Sequence, residues 1–144
     1  MTQDAIQAAI PHRPPFLLID EIVEQAEKRI VCRKTFRGDE FWYAGHYPGN
    51  PITPGVILCE VAMQTGAVLL ASYIAEHGGM PVVTRLSDAR FKRIVKPGET
   101  VEIEATLDDH VSKAFFMSAK VTVAGQLAVR MQFTCAMVDP GSVT

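Results

Sequence analysis

The sequence has few of the features that mark secreted, metal-binding or nucleic-acid-binding proteins. Its three cysteines (Cys32, Cys59 and Cys135) are odd in number and lack metal-ligand spacing, which predicts buried thiols rather than a disulfide framework or a zinc site. A formal net charge of −2 and a pI near 6.1 argue against general nucleic-acid binding. The first residues lack the basic and apolar regions of a secretory signal. Together these absences predict a cytoplasmic protein in a reducing compartment.

The 144 residues suit one domain, residues 1–144, in which a short helix precedes strands and one long helix. We expect the first helix at residues 1–10 and a frayed tail at residues 139–144. Alternation of apolar and polar side chains predicts strands on both sides of the long helix. These lie at residues 16–24, 30–36, 81–86 with 89–94, 100–107, 115–123 and 127–138.

Residues 54–77 form the one long apolar segment, which predicts a central helix. Between Gly55 and Ala75 the clearly polar side chains are Glu60, Gln64, Thr65 and Ser72. A helix that is apolar on nearly every side must be surrounded by protein or lipid. A carboxyl and an amide inside the segment disfavour a membrane span, because an intramembrane carboxyl is costly. An antiparallel sheet around the helix is the better interpretation.

The start of this helix is a candidate binding site for an oxygen that gains negative charge. Thr53 is predicted as the N-cap and Pro54 as the first helical residue. The amides of Gly55 and Val56 then have no carbonyl partner within the helix and lie at the positive end of its dipole. Because Gly55 has no side chain, a ligand oxygen can approach its amide closely.

Two side chains near this point are candidates for proton transfer. Glu60 lies among apolar neighbours, which favours a protonated carboxyl that can donate its proton; alternatively it is a structural carboxyl bonded to Gln64, one turn later. His46 lies in a loop rich in glycine and proline and can accept a proton near neutral pH; alternatively it is an ordinary surface histidine. His12 is interpreted as a turn residue. A base, an acid and an oxyanion site together suit proton abstraction beside a carbonyl with loss of a β-oxygen.

The chain resembles the 3-hydroxyacyl-[acyl-carrier-protein] dehydratases of type II fatty-acid synthesis. The matching motifs are PHRPPFLLID (residues 11–20), GHYPGNPITPGV (45–56), Glu60 with Gln64, and ARFKRIVKPGE (89–99). The resemblance implies an α+β hotdog fold, an antiparallel β-sheet wrapped around one long central helix. It also implies dehydration of (3R)-3-hydroxyacyl thioesters to trans-2-enoyl thioesters without a metal or organic cofactor.

Roles for individual residues follow from the same resemblance. His46 would take the C2 proton, Glu60 would protonate the departing C3 hydroxyl, and the Gly55 amide would hold the thioester carbonyl. The two side chains would come from different copies of a homodimer, which would assemble further into a trimer of dimers. The acyl chain would lie in a tunnel along that interface. Many relatives gate the tunnel with an aromatic residue that residues 81–88 of this chain lack.

The implied partner is an acyl carrier protein. Basic residues concentrate at 28–37 and 85–96, and we expect Arg90, Lys92 and Arg93 to contact the acidic carrier. The alternative is an ordinary solvated strand face.

Two other functions remain open at this point. A hotdog thioesterase would use an acidic residue to direct water at the thioester carbonyl, which leaves His46 without a clear role. A non-catalytic relative would bind acyl carriers through the same fold without turnover.

Overall fold

A computed structural model describes residues 3–142 of the chain. The helices are α1 (Gln3–Ala9), α2 (Gly55–Leu69) and α3 (Ala71–His77). The strands are β1 (Glu21–Gln25), β2 (Arg29–Thr35), β3 (Met80–Phe91), β4 (Thr100–Val111), β5 (Ala114–Val123) and β6 (Gln126–Val138). Two 3-10 turns lie at Tyr43–Gly45 and Pro140–Ser142. Residues 1–2 of the predicted first helix and 143–144 of the predicted tail lie outside the described range.

Within residues 3–142 the strands form one six-stranded sheet in the order β1-β2-β4-β5-β6-β3. Every neighbouring pair is antiparallel. Strand β3 therefore lies at one edge of the sheet and β1 at the other. No strand among the described residues pairs with the side of β3 away from β6.

Helix α2 packs against one face of the sheet and is buried on most of its surface. Its core side chains include Leu58, Val61, Val68 and Leu69. Gly66 allows the closest approach, since a Cβ there would lie 2.7 Å from the ring of Phe133. The less buried positions follow one stripe along the helix, namely Val56, Glu60, Met63 and Ala67. This spacing of three or four residues places them on a single side of α2.

The predicted helix at residues 54–77 is wrong in one respect, because it is two helices with a bend of 46° between them. The break is at Leu70, whose ψ of −3° departs from regular helix geometry. Leu70 is buried, and Tyr73 beyond the break packs edge-on against Phe115 at 4.7 Å. Tertiary packing of α3 therefore accounts for the bend. Gly78, with φ of 75°, ends α3 as the glycine pair predicted.

No single helix within residues 3–142 is long and apolar enough to cross a membrane. The bent pair α2 and α3 meets that requirement only by its combined length and composition.

Other boundaries also differ from the predictions, such as that of β4, which extends to Val111 beyond the predicted residues 100–107. The strand expected at residues 16–24 begins only at Glu21, because the backbone of Phe16 and Leu18 bonds to the side chain of Gln64 instead of to a strand. The N-cap of α2 is Pro54 and not Thr53. The Thr53 hydroxyl is instead paired with the Tyr43 hydroxyl at 2.6 Å.

Residues 81–86 and 89–94, expected as one strand or as two joined by a kink, form one strand, β3, which ends at Phe91 and has two irregularities in its pairing to β6. At the other terminus, Pro140–Ser142 forms a 3-10 turn where a frayed tail was expected.

Candidate active site

The loop between the first 3-10 turn and α2 positions His46. The ring nitrogen Nδ1 of His46 lies 2.9 Å from the carbonyl oxygen of Ile52. A carbonyl oxygen can only accept, so the hydrogen is on Nδ1 and Nε2 keeps a lone pair. Tyr47 packs edge-on against the imidazole at 4.8 Å. The Ile52 carbonyl therefore selects, for a neutral imidazole, the tautomer in which Nε2 is the nitrogen that can accept a proton.

The same loop is anchored to the fold at its far end. The Tyr43 and Thr53 hydroxyls bond to each other, and the Thr53 amide donates to the carbonyl of Val95 at 2.8 Å. Tyr43 and Thr53 are both buried. Burial raises the pKa of Tyr43, against the opposing effect of its bond to Thr53, so the phenol stays protonated as a hydrogen-bond partner. These contacts fix both ends of the segment that carries His46.

The start of α2 offers free amides as the sequence indicated. The amides of Ile57 and Leu58 donate to the carbonyl of Pro54, whereas among the described residues no backbone acceptor faces the amides of Gly55 and Val56. The ring of Phe91 covers Gly55, since a Cβ there would lie 2.8 Å from Phe91 Cε1. An exposed aromatic side chain thus lies beside the candidate oxyanion site. Phe91 lies outside residues 81–88, where the family resemblance predicts an aromatic residue, so sequence reasoning had no basis for assigning it to the site.

Glu60 lies on the half-buried stripe of α2, with 22% of its side chain exposed in the single chain. Gln64 Nε2 donates to Glu60 Oε2 at 3.0 Å. Gln64 itself is fixed, because its Oε1 accepts from the Leu18 amide at 2.9 Å and its Nε2 also donates to the Phe16 carbonyl at 2.8 Å. The bond to Gln64 that the sequence offered as the structural alternative is therefore present. It also orients the carboxyl, so it is compatible with a catalytic role.

His12 is a neighbour of Glu60 that sequence reasoning missed. Its Nε2 lies 3.8 Å from Glu60 Oε2. The proline-rich segment was read as a turn, and its distance from Glu60 along the chain gave no sign of the contact. The resemblance in residues 11–20 was the one signal that could have drawn attention to it.

Glu60 is the one carboxyl in the wall of an apolar cavity of about 200 Å³. The wall is formed by α1 and the segment after it, by α2, by α3 and by the strands β3 and β6. Its residues are Ala9, Ile10, Pro11, His12, Glu60, Met63, Gln64, Ala67, Ile74, Met80, Pro81, Val83 and Cys135. An apolar cavity with a few polar groups at one point is the usual form of a small-molecule site.

His46 is not among the residues that line this cavity. One copy of the chain therefore does not bring His46 and Glu60 into a common pocket. Their convergence across two copies stays a prediction.

The basic residues expected to dock a carrier differ in their surroundings. Arg90 and Lys92 are exposed. Arg93 is half-buried and forms a two-pronged ion pair with Glu99, at 3.1 and 2.7 Å. The Arg93 charge is thus partly neutralised within the chain.

The cysteines are not candidates for nucleophilic catalysis. Burial raises the pKa of Cys135, in the cavity wall, to about 11, and raises that of Cys32 to about 11 as well. Both thiols are therefore protonated and unreactive at neutral pH. Among the described residues, no group of three or more histidine, cysteine or acidic side chains is placed to hold a metal ion.

Comparison with known proteins gives a consistent family. The model of the ApeI-like family, described as ApeI dehydratase, matches residues 22–129. The 3-hydroxyacyl-[acyl-carrier-protein] dehydratase FabZ of Chloroflexus aggregans is 44% identical over 137 residues and covers 94% of each chain. That of Staphylococcus epidermidis is 40% identical over 135 residues and covers 93% of each chain.

Among solved structures, the dehydratase heterocomplex ApeI:P from Xenorhabdus doucetiae superposes with a TM-score of 0.80 at 14% identity, covering 94% of this chain and 92% of that one. At this identity the likeness shows the fold alone, and the α+β hotdog fold expected from the sequence is confirmed. The same holds for a hypothetical thioesterase from Streptococcus pneumoniae, with a TM-score of 0.65 at 16% identity, so that likeness does not favour a thioesterase.

The architecture is that of the hotdog fold, and the family model and the similar relatives place the chain in the dehydratase class. The chain belongs to the 3-hydroxyacyl-[acyl-carrier-protein] dehydratase family, as the motifs in the sequence indicated.

Proposed function

We propose that this protein removes water from (3R)-3-hydroxyacyl thioesters carried on an acyl carrier protein, giving trans-2-enoyl thioesters. The observation that carries the proposal is the Glu60 carboxyl, oriented by Gln64 in the wall of an otherwise apolar cavity. An apolar cavity suits an acyl chain, and a carboxyl at its wall suits a hydroxyl near one end of that chain.

In the proposed reaction His46 Nε2 accepts the proton from C2 of the substrate. The electron pair of that C–H bond forms the C2–C3 double bond while the C3–O bond breaks. Glu60 gives its proton to the departing hydroxyl, which leaves as water. The amides of Gly55 and Val56 stabilise the negative charge that develops on the thioester oxygen. The bond from His46 Nδ1 to Ile52 supports this role, because it keeps the lone pair on Nε2.

The proposed site is completed by a second copy of the chain, which supplies His46 to the Glu60 cavity. The unpaired edge of β3 supports this arrangement, because exposed strand edges pair readily with another chain. Large apolar side chains are exposed on and beside that edge at Val83, Leu86 and Phe91, and at Val56 on α2. A homodimer would cover them. The family resemblance also implies that three such dimers assemble into a hexamer. The mass measured in solution would distinguish this hexamer from a single dimer.

The proposed carrier-docking surface is formed by Arg90, Lys92 and Arg93. An acyl carrier protein is acidic, and complementary charge accelerates and orients such an encounter. Arg90 and Lys92 are the stronger contributors, since Arg93 is already paired with Glu99.

The proposal is tested by incubating the protein with a 3-hydroxyacyl thioester of the carrier and identifying the products by mass. Loss of water is the expected result. Release of free thiol would establish the thioesterase alternative, and no change in mass would establish a non-catalytic carrier-binding protein.

We expect His46→Ala and Glu60→Gln each to abolish loss of water while the fold and oligomer persist, since each removes one partner in proton transfer. His77→Ala and Glu76→Gln are matched controls, because both side chains are exposed near the end of α3. Circular dichroism and the mass in solution check folding and assembly. Near-normal turnover in either site variant would show that the assigned roles are wrong.

A further inference from the structure

His12 contacts the candidate acid but has no part in the reaction described above. Its Nε2 is 3.8 Å from Glu60 Oε2, and both side chains are largely buried, with 28% and 22% exposed. This separation is longer than a hydrogen bond. Catalytic hydrogen bonds are often long in ligand-free structures and tighten when substrate binds.

The other ring nitrogen of His12 indicates where its hydrogen lies. Nδ1 is buried, and among the described residues it has no hydrogen-bond partner. Among buried backbone groups, an N–H without an acceptor is rarer than a carbonyl without a donor. By the same reasoning, a neutral His12 that carries its hydrogen on Nε2, facing Glu60, leaves no N–H of this ring buried without an acceptor nearby.

The imidazole is held by the segment around it. Arg13 donates to the backbone carbonyls of Ile10 and Gln7, which ties the segment to α1. The ring of Phe16 stacks beside His12, with centroids 6.3 Å apart and planes 26° apart. Gln64 bonds to the backbone of Phe16 and so joins this segment to the helix that carries Glu60. The position of His12 relative to Glu60 is thus set from both sides.

Gln64 and His12 both lie nearest the same oxygen of Glu60. Gln64 Nε2 lies 3.0 Å from Oε2, and the Nε2 of His12 faces Oε2 as well. Within residues 3–142, no side chain or backbone amide donates to Oε1. In a protonated carboxyl one oxygen carries the hydrogen and the other accepts. The donor from Gln64 makes Oε2 the accepting oxygen of a protonated Glu60 and leaves the acidic hydrogen to Oε1, and a tightened contact from His12 would reinforce this arrangement.

We propose that His12 is a positioning residue for the acid. Carrying its hydrogen on Nε2, it holds Glu60 Oε2 together with Gln64, so that Oε1 presents the proton to the substrate hydroxyl. This inference rests on the proposed dehydration, in which Glu60 is the acid. It adds a requirement for a hydrogen-bond donor at position 12.

The kinetic test compares His12→Leu, which removes the donor, with His12→Gln, which keeps an N–H donor of similar reach. General acid catalysis is worth roughly 100- to 10,000-fold, so misplacing the acid is expected to lower kcat by about 10- to 100-fold in His12→Leu with little change in KM. His12→Gln is expected to recover most of kcat. Equal losses in both variants, or a change confined to KM and acyl-length preference, would mean that His12 only shapes the cavity.

A spectroscopic test needs no turnover. In protein labelled with ¹⁵N-histidine, the signal that disappears in His12→Gln identifies His12, and its shifts report which nitrogen carries the hydrogen. The Nε2–H form is expected, and the Nδ1–H form would overturn the inference. A wild-type protein that does not dehydrate its substrate refutes the proposed function, whereas an active wild type with an unimpaired His12→Leu variant refutes only the role of His12.

Discussion

Replacing Gln64 by leucine tests whether this side chain joins the acid to the N-terminal segment. Gln64 is 1% exposed and makes three hydrogen bonds, with the Leu18 amide, the Phe16 carbonyl and Glu60. Leucine has a similar volume but can make none of them. The variant therefore separates the packing of this side chain from its polar contacts.

The expected cost follows from the groups left without partners. A buried polar group that loses its partner costs about 1–3 kcal/mol. The Leu18 amide is buried, so its lost bond accounts for the larger part of this cost, whereas the Phe16 carbonyl is only partly buried and can bind water. Burial of the more apolar leucine side chain offsets about 1 kcal/mol of this loss in stability. We expect Gln64→Leu to lower the free energy of unfolding by about 2 kcal/mol.

The measurement is urea unfolding at one protein concentration, because assembly contributes to apparent stability. Thr65→Val is the matched control, since Thr65 is also fully buried on α2, and its hydroxyl donates to the Val61 carbonyl and has only the weakly hydrogen-bonding Cys32 thiol as a further side-chain partner among the described residues. That carbonyl keeps its helical partner, so the control should change stability by about 0.5 kcal/mol or less. Equal stability of the two variants would refute the role of Gln64 as a structural link.

Three further predictions address other parts of the site. Gly55→Ala should fold normally, because its methyl group meets the ring of Phe91, which is exposed and can move. Its kcat should fall by at least about 10-fold, because the amide becomes less accessible to the substrate oxygen. An unchanged kcat would remove the amide from the mechanism. Hydrogen bonds from Arg93 hold the pKa of Glu99 below its ordinary value of 4.5. Their contribution to stability is therefore present above pH 4.5 and is lost as the pH falls through the lowered pKa. Arg93→Gln should make the free energy of unfolding depend less steeply on pH in the acid range, and curves that superimpose on those of the wild type would contradict this. Arg90→Glu should raise the KM for the carrier-bound substrate but not the KM for a small thioester. Lys113→Glu, at the other end of the sheet, is the control and should raise neither KM value. Equal effects of the two charge reversals would argue against docking at Arg90.

Local alternation predicted most of the sheet, and it also placed one charged side chain, Lys34, on the buried face. On β2 the alternation placed Lys34 on the same face as Ile30, Cys32 and Phe36, and all four are buried. The Lys34 ammonium lies 3.4 Å from the Glu40 carboxylate, which explains how a charge is tolerated there. The period of two was therefore a better guide to burial than the chemistry of the single residue.

The features that the sequence did not predict all depend on contacts between distant segments. The break at Leu70 reflects packing of α3 on β5, and no proline or glycine marks that position. The backbone at Leu18 avoids the sheet because a side chain from α2 bonds to it. The contact between His12 and Glu60 likewise joins a loop to a helix. Propensity and periodicity describe neighbours along the chain, so they carry no information on such pairs.

The stripe of half-buried residues on α2 carries the proposed proton donor at one position and sets the size of the cavity at the others. Glu60, Met63 and Ala67 follow one another along the cavity wall at intervals of about one helical turn, roughly 5.4 Å. The proposed proton donor occupies one position, and in the proposed function the positions beyond it would only bound the space for the acyl chain. A larger or smaller side chain at Ala67 would change which acyl lengths fit while Glu60 and its partners stay in place. Substrate range in this protein can therefore diverge through single substitutions that leave the reaction itself intact.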